Sequence, residues 1–251
     1  MQIEVIIEKK SHKLNAEEGK TILETLQEHG IHVLTAPCGG RGRCGKCTVE
    51  VEHMGEVLAC MTKVTDGMRI TIPKVQLRAQ KSKIAENGTV THYPADDGEG
   101  LDAACDIGTT TVVCHLIDGK TGEKLATVSE PSAQRSFGAD VLSRIQAAEA
   151  GKLEILKEQI IFQIAQMLRT LQKKTGRGEQ IQRLAVVGNT VMCHLFAGIS
   201  PVSIGVTPFM PQEFFGKEYT GEQLGLTDCR SVYIAPAVAG FVGGDITSDL
   251  L

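Results

Sequence analysis

The sequence predicts an α+β unit followed by an α/β unit, and three observations carry that prediction. Short alternating segments at 2–8 and 48–52 frame a helical stretch and a loop dense in cysteine and glycine. From residue 101 the pattern changes to three strands in succession, then helices and strands by turns, in the order β-β-β-α-β-α-β. Between the two, residues 77–100 run from basic (Arg78, Lys81, Lys83) to acidic (Asp96, Asp97, Glu99) around Gly and Pro, a linker composition. At 251 residues the chain is long enough for two modest cores.

The elements follow in order. Residues 2–8 alternate apolar and polar as a strand does, and a second short strand at 11–16 can pair with them. In 20–29, Ile22, Leu23 and Leu26 share one helical face and Gly30 supplies the stop. The cysteine loop comes next, then a strand at 48–52, a short turn and a last strand at 69–72. This is the pattern of a β-grasp domain. In the second unit, strands at 102–107, 110–117 and 124–129 precede helices at 138–149 and 152–174. Leu153, Leu156, Ile160, Ile164, Met167, Leu168 and Leu171 recur at helical spacing in the longer one. A strand at 183–187, a helix at 190–197 and a strand at 231–235 complete the unit. The expected domains are therefore 1–76, a linker at 77–100, and 101–251.

Composition removes several functions. A net charge of −4 gives no basic excess for nucleic acid. No segment approaches the roughly 20 apolar residues that span a bilayer. The N-terminus reads as a strand and has neither the charged nor the apolar region of a secretory signal, so the expected compartment is the cytoplasm. Without a secretory signal the eight cysteines do not read as a disulfide framework. Four of them fall within 38–60, whereas Cys105, Cys114, Cys193 and Cys229 sit in apolar stretches and read as core residues.

The clustered four form C-x5-C-x2-C-x12-C: Cys38, Cys44, Cys47 and Cys60. A [2Fe-2S] cluster needs four thiolates, and a tight loop can supply three of them if its backbone turns sharply. Gly39, Gly40, Gly42 and Gly45 permit that turning, and Cys60 arrives after the intervening strand. The plant-type spacing has one residue fewer in the first gap. Structural zinc is the competing reading, but its sites usually show two C-x2-C knuckles, and here there is one, set among glycines. Arg41, Arg43 and Lys46 lie inside the loop. They read equally as cations that ease reduction or dock an acidic partner, and as a solvated surface.

In the second unit, CDIGTTT (105–111) runs from a strand through Gly108 into a hairpin whose N–H groups and hydroxyls can face a phosphate. VVGNTVMCHLF (186–196) is a strand, a glycine turn and a helix start, with Asn189 or Thr190 as cap. Capping alone and a phosphate-facing loop fit it equally. FGAD (137–140) and APAVAGFVGGD (235–245) each read as ligand loop or as plain structure. His32, His53 and His194 have no companion at metal spacing and read as surface or packing residues.

PCGGRGRCGKC, LACMTKVTDGMRITIP, DIGTTT, QRSFGADVLSRI, VVGNTVMCHLFAGISP and PAVAGFVGGD, in this order, resemble the reductive activators of corrinoid proteins. Those are ferredoxin-type proteins with a domain of the actin-like ATPase (ASKHA) clan. The resemblance implies a [2Fe-2S] cluster on Cys38, Cys44, Cys47 and Cys60 and an actin-like subdomain from residue 101. It places a first phosphate site at Asp106, Gly108, Thr109, Thr110 and Thr111, with Asn189 and Thr190 facing it and ATP with Mg2+ as the ligands. The activity implied is ATP-dependent delivery of one electron to an inactive Co(II) corrinoid, restoring Co(I). The partners implied are a corrinoid protein or corrinoid-dependent methyltransferase and an electron donor. No second D-x-G-T motif follows DIGTTT, so the sequence reads either as a fragment or split product, or as one half whose other half is a separate chain, and a self-sufficient ATPase is not expected. The alternative is a stand-alone ferredoxin domain carrying a non-hydrolysing actin-like binding appendage.

Overall fold

The computed structural model describes residues 1–31, 33, 34, 36, 38–73 and 98–248. Most of the expected linker, and His32, therefore lie outside the described residues. The chain divides into two compact units. The first contains the N-terminal residues together with Ala133–Arg144; the second contains the rest of the C-terminal part.

The first unit opens with a hairpin, β1 (Gln2–Ile7) and β2 (Lys10–Asn15), paired antiparallel. Glu8 and Lys9 both take positive φ at its tip, the geometry of a two-residue turn that matches strand twist. Helix α1 (Ile22–Glu28) starts at a capping box in which the Thr21 hydroxyl accepts from Glu24 N–H and the Glu24 carboxylate accepts from Thr21 N–H. Strands β3 (Thr48–Val51), β4 (Gly55–Leu58) and β5 (Arg69–Thr71) complete a sheet of order β2-β1-β5-β3-β4, with β5 parallel to β1. Ile3, Val5, Ile22, Leu26, Val49, Val51 and Ile70 make the core under the helix. Residues 55–58 were expected as part of a turn. They form a strand because they pair along the whole of β3, a gain that four residues with one apolar alternation do not announce.

The second unit is a six-stranded sheet of order β10-β11-β9-β6-β7-β8. Its strands are β6 (Leu101–Ile107), β7 (Thr111–Asp118), β8 (Lys124–Pro131), β9 (Ile181–Gly188), β10 (Lys217–Thr220) and β11 (Cys229–Ile234). β6, β9 and β11 run parallel; β7, β8 and β10 are antiparallel to their neighbours. Burial alternates along β6, β9 and β11, so one sheet face forms the core and the other is partly open. The buried face lies under the long helix. The helix expected at 138–149 starts only at Val141, as α2 (Val141–Ala147), and a 3-10 turn at Ala133–Phe137 precedes it. A break at Gly151 (φ 81°) separates α2 from α3 (Leu153–Thr175). All the periodic residues of α3 except Leu153 are buried. Helix α4 (Thr190–Ala197), the short α5 (Gly221–Leu224) and α6 (Gly244–Ser248) follow. No described helix is long and apolar enough to cross a membrane.

Cys105, Cys114, Cys193 and Cys229 are all buried in this second core, with Cys105 directly opposite Cys114 on β6 and β7. His194 is wholly buried; its Nδ1 donates to Thr190 O at 2.7 Å and its Nε2 accepts from Glu213 N–H at 3.3 Å. That pairing requires the neutral ring, and burial lowers its pKa.

Three expectations follow. Leu168→Ala should cost about 2–5 kcal/mol by denaturant titration, since Leu168 is fully buried. Phe162→Ala, at a side chain 65% exposed on the same helix, should change stability by no more than about 0.5 kcal/mol. Because His194 is kept neutral when folded but binds a proton below about pH 6.5 when unfolded, stability should be full above that pH. It should fall below it, by up to about 1.4 kcal/mol per pH unit. Denaturant midpoints at neutral and mildly acidic pH should show the drop, and His194→Leu should lessen it.

Candidate cluster loop and phosphate-facing loops

The cluster loop is built on two supports. α1 places Leu23 against Gly40, where a Cβ would lie 3.8 Å from the Leu23 Cδ2. After β4, Ala59 N–H donates to Cys47 O at 2.9 Å and Leu23 N–H donates to Ala59 O at 2.9 Å. These bonds bring Cys60 beside Cys47. Gly39, Gly40, Gly42 and Gly45 all adopt positive φ, between 63° and 80°. At Gly42 a Cβ would also meet Met61 at 2.9 Å.

The four thiols are arranged as two pairs. Cys44 Sγ is 3.3 Å from Cys38 Sγ, and Cys60 interacts with Cys47. A zinc site draws four thiolates around one ion, whereas a [2Fe-2S] cluster takes two at each of two irons. The paired arrangement fits the cluster. Burial opposes the thiolate at Cys38, but the N–H of Cys44, the Cys44 thiol and the N–H groups of Arg43 and Arg41 outweigh it and bring its pKa down to about 6. Burial, with Cys47 next, pushes Cys60 up to about 12 against the Gly42 N–H. The loop thus aims backbone donors at sulfur, the feature that accommodates a negatively charged cluster. Arg41, Arg43 and Lys46 are all exposed.

In the second unit three loops meet at the carboxyl ends of β6, β9 and β11. The first holds Gly108, Thr109 and Thr110, closed so tightly that a Cβ at Gly108 would lie 2.7 Å from Thr111 O. The second starts at Gly188; Asn189 caps α4 by accepting from Met192 N–H at 3.0 Å and donates to Thr109 Oγ1 at 3.1 Å. The cap is Asn189, not Thr190, which is wholly buried and donates to Ala239 O at 2.7 Å. The third loop, ending in GGD, rests on the second: a Cβ at Gly243 would lie 2.5 Å from Thr190 N. Asp106 lies on the open sheet face and Asp245 at the start of α6; burial pushes the Cys193 thiol up to about 12, and the charges of Asp245 and then Asp106 add to it. Sequence reading left the third loop ambiguous, and its only local signal is the glycine pair before Asp245. Asp140 accepts from Ser143 N–H at 2.7 Å and from the Ser143 hydroxyl at 3.0 Å at the start of α2, in the first unit. His53 sits exposed at a turn with φ 67°.

Cys47→Ser and Cys60→Ser should each lose the red-brown absorption and lower iron and sulfide below the two of each expected per chain. Cys193→Ala should keep both.

The family model for the 2Fe-2S iron-sulfur cluster binding domain matches residues 4–74, and that for the RACo middle region matches residues 101–251. A corrinoid activation enzyme of Eubacterium limosum, RamQ, is 27% identical over 297 residues, covering 87% of this chain and 50% of that protein. The solved structure of a reductive activator for corrinoid, iron-sulfur protein aligns with a TM-score of 0.58 at 24% identity, over 99% of this chain and 57% of that one, and shows a shared fold. The chain thus spans about half the length of these two proteins. With a 2Fe-2S ferredoxin domain joined to the motif-bearing sheet, the chain belongs to the family defined by the RACo middle region.

Proposed function

We propose that this chain is the electron-delivering part of an ATP-coupled activator that returns Co(II) corrinoid proteins to Co(I). The observation that carries the reading is one chain holding both the two-pair thiol loop and the three-loop platform with Asp106 and Asp245. The name of the relative RamQ, a corrinoid activation enzyme, supports the choice of substrate.

When bound at Cys38, Cys44, Cys47 and Cys60, a [2Fe-2S] cluster supplies a one-electron carrier, at roughly −400 mV for plant-type proteins. The chain's own residues do the rest. Backbone donors at Arg41, Arg43 and Cys44 stabilise negative charge at Cys38. The exposed Arg41, Arg43 and Lys46 give the loop a cationic rim suited to an acidic docking face. On the platform, Thr109, Thr110 and Thr111 with the start of α4 offer donors to phosphate oxygens, and Asp106 with Asp245 offers carboxylates to a hydrated Mg2+. The expected compartment is the cytoplasm, and the electron donor is a low-potential reductant.

The test is anaerobic. Cluster-loaded protein, alone and joined to a second actin-like subdomain, is mixed with reductant and a Co(II) corrinoid protein. The Co(II) spectrum should give way to that of Co(I) only with MgATP and the second subdomain. An unchanged Co(II) spectrum under those conditions overturns the reading. Absence of calorimetric heat with MgATP, alongside normal cluster redox, would favour the appendage.

A further inference from the structure

Ala133–Arg144 is anomalous in the contact pattern. Its sequence neighbours on both sides belong to the second unit, yet the segment itself packs within the first. Two contacts define what it touches there, and a third packs the segment on itself. Gln27, buried on α1, donates through Nε2 to Ser136 O at 3.0 Å. Gly39, next to the ligand Cys38, faces the segment: a Cβ there would lie 3.5 Å from Phe137 O and 3.8 Å from Ser143 Cβ. Gly138 packs so closely on Ser143 that a Cβ would come within 2.2 Å of the Ser143 Cβ.

The segment is held in one shape from inside. Arg144 is wholly buried, and its guanidinium donates to Gly138 O and to Gln134 Oε1, each at 3.3 Å. At its base, still in the second unit, Ser132 N–H donates to Thr110 O at 2.9 Å, in the first phosphate-facing loop. Ser132 Oγ is buried with no hydrogen-bond partner, so this base residue is tied by its backbone alone. Each contact lies inside one unit; the covalent chain from Ser132 to Ser136 joins them.

We propose that Ala133–Arg144 is a strap coupling the Gly108–Thr111 loop to the cluster loop, with Gln27 as the positioning residue that latches it. This rests on the reading that both loops serve one electron-delivery process. The physical basis is electrostatic. One electron added beside Gly39 repels the negative end of the Phe137 carbonyl and attracts the buried Arg144 cation. The strap can answer only by shifting along its length, because its interior is close-packed. A shift at Ser136 is passed to Ser132 four residues away, and so to Thr110.

Hydrogen exchange on the cluster-loaded chain, oxidised and then reduced by one electron from dithionite, tests this without nucleotide or corrinoid. Amides of Ala133–Arg144 and the Ser132 amide should exchange at rates differing by about threefold or more between the two redox states. In Gln27→Leu the strap should lose its latch, and the Ser132 difference should vanish while the cluster absorption remains. Gly138→Ala, which forces Ser143 aside, should do the same and decides the matter if Gln27→Leu does not fold. Equal exchange in both redox states, or a Ser132 response that survives both substitutions, overturns the proposal. Calorimetry with MgATP reads the nucleotide site separately. Absence of heat with an intact strap response would count against that site and leave the strap standing.

Discussion

The register of β6 against β9 is the constraint on which the second unit depends. Cys105 pairs with Val186, Asp106 with Val187 and Ile107 with Gly188. That alignment buries Cys105 and Ile107, turns Asp106 to the open face, and brings Gly188 up against Ile107 O, where a Cβ would lie 2.9 Å away. A slip of one residue would send Asp106 into the core and Cys105 out of it. It would also move Asn189 away from Thr109, and with it the whole meeting of the three loops. The apolar alternation of β6 and the glycine at the end of β9 therefore set the position of the polar groups, though none of the apolar side chains takes part in the chemistry.

The two candidate sites are shaped by different means. At the cluster loop, four glycines in the left-handed region bend the backbone so that N–H groups face sulfur, and cations line the outside. At the platform, the start of α4 is capped by Asn189, which also bonds the tight threonine hairpin. Groups held this way need little reorganisation once the loops are formed. Close packing holds them in place: Leu23 beneath Gly40 in one, Gly243 on Thr190 in the other.

The fold was largely legible in the sequence where a local period or a local breaker existed. β1, α1, β6, β7 and α3 were each announced by alternation or by helical spacing, with Gly30 marking the end of α1. The misses share a cause. β4 and β10 are four-residue strands whose existence depends on the partners they pair with. The helix expected from 138 begins only at Val141, because Gly138 packs tightly on Ser143, which the apolar period does not show.

By itself the sequence determined the identity and spacing of the cluster thiols, the glycines that let their loop turn, and the DIGTTT hairpin. These depend on residues within a few positions of one another. Only the tertiary structure decided that the thiols stand as two pairs, that Asn189 rather than Thr190 caps α4, and that the GGD loop settles on that cap. It also decided that Ala133–Arg144 packs with the N-terminal residues. The last two join residues far apart in the chain, Gly243 with Thr190 and Gln27 with Ser136 at |i−j| = 109, where a local pattern carries no information and the gain from burial chooses the partner.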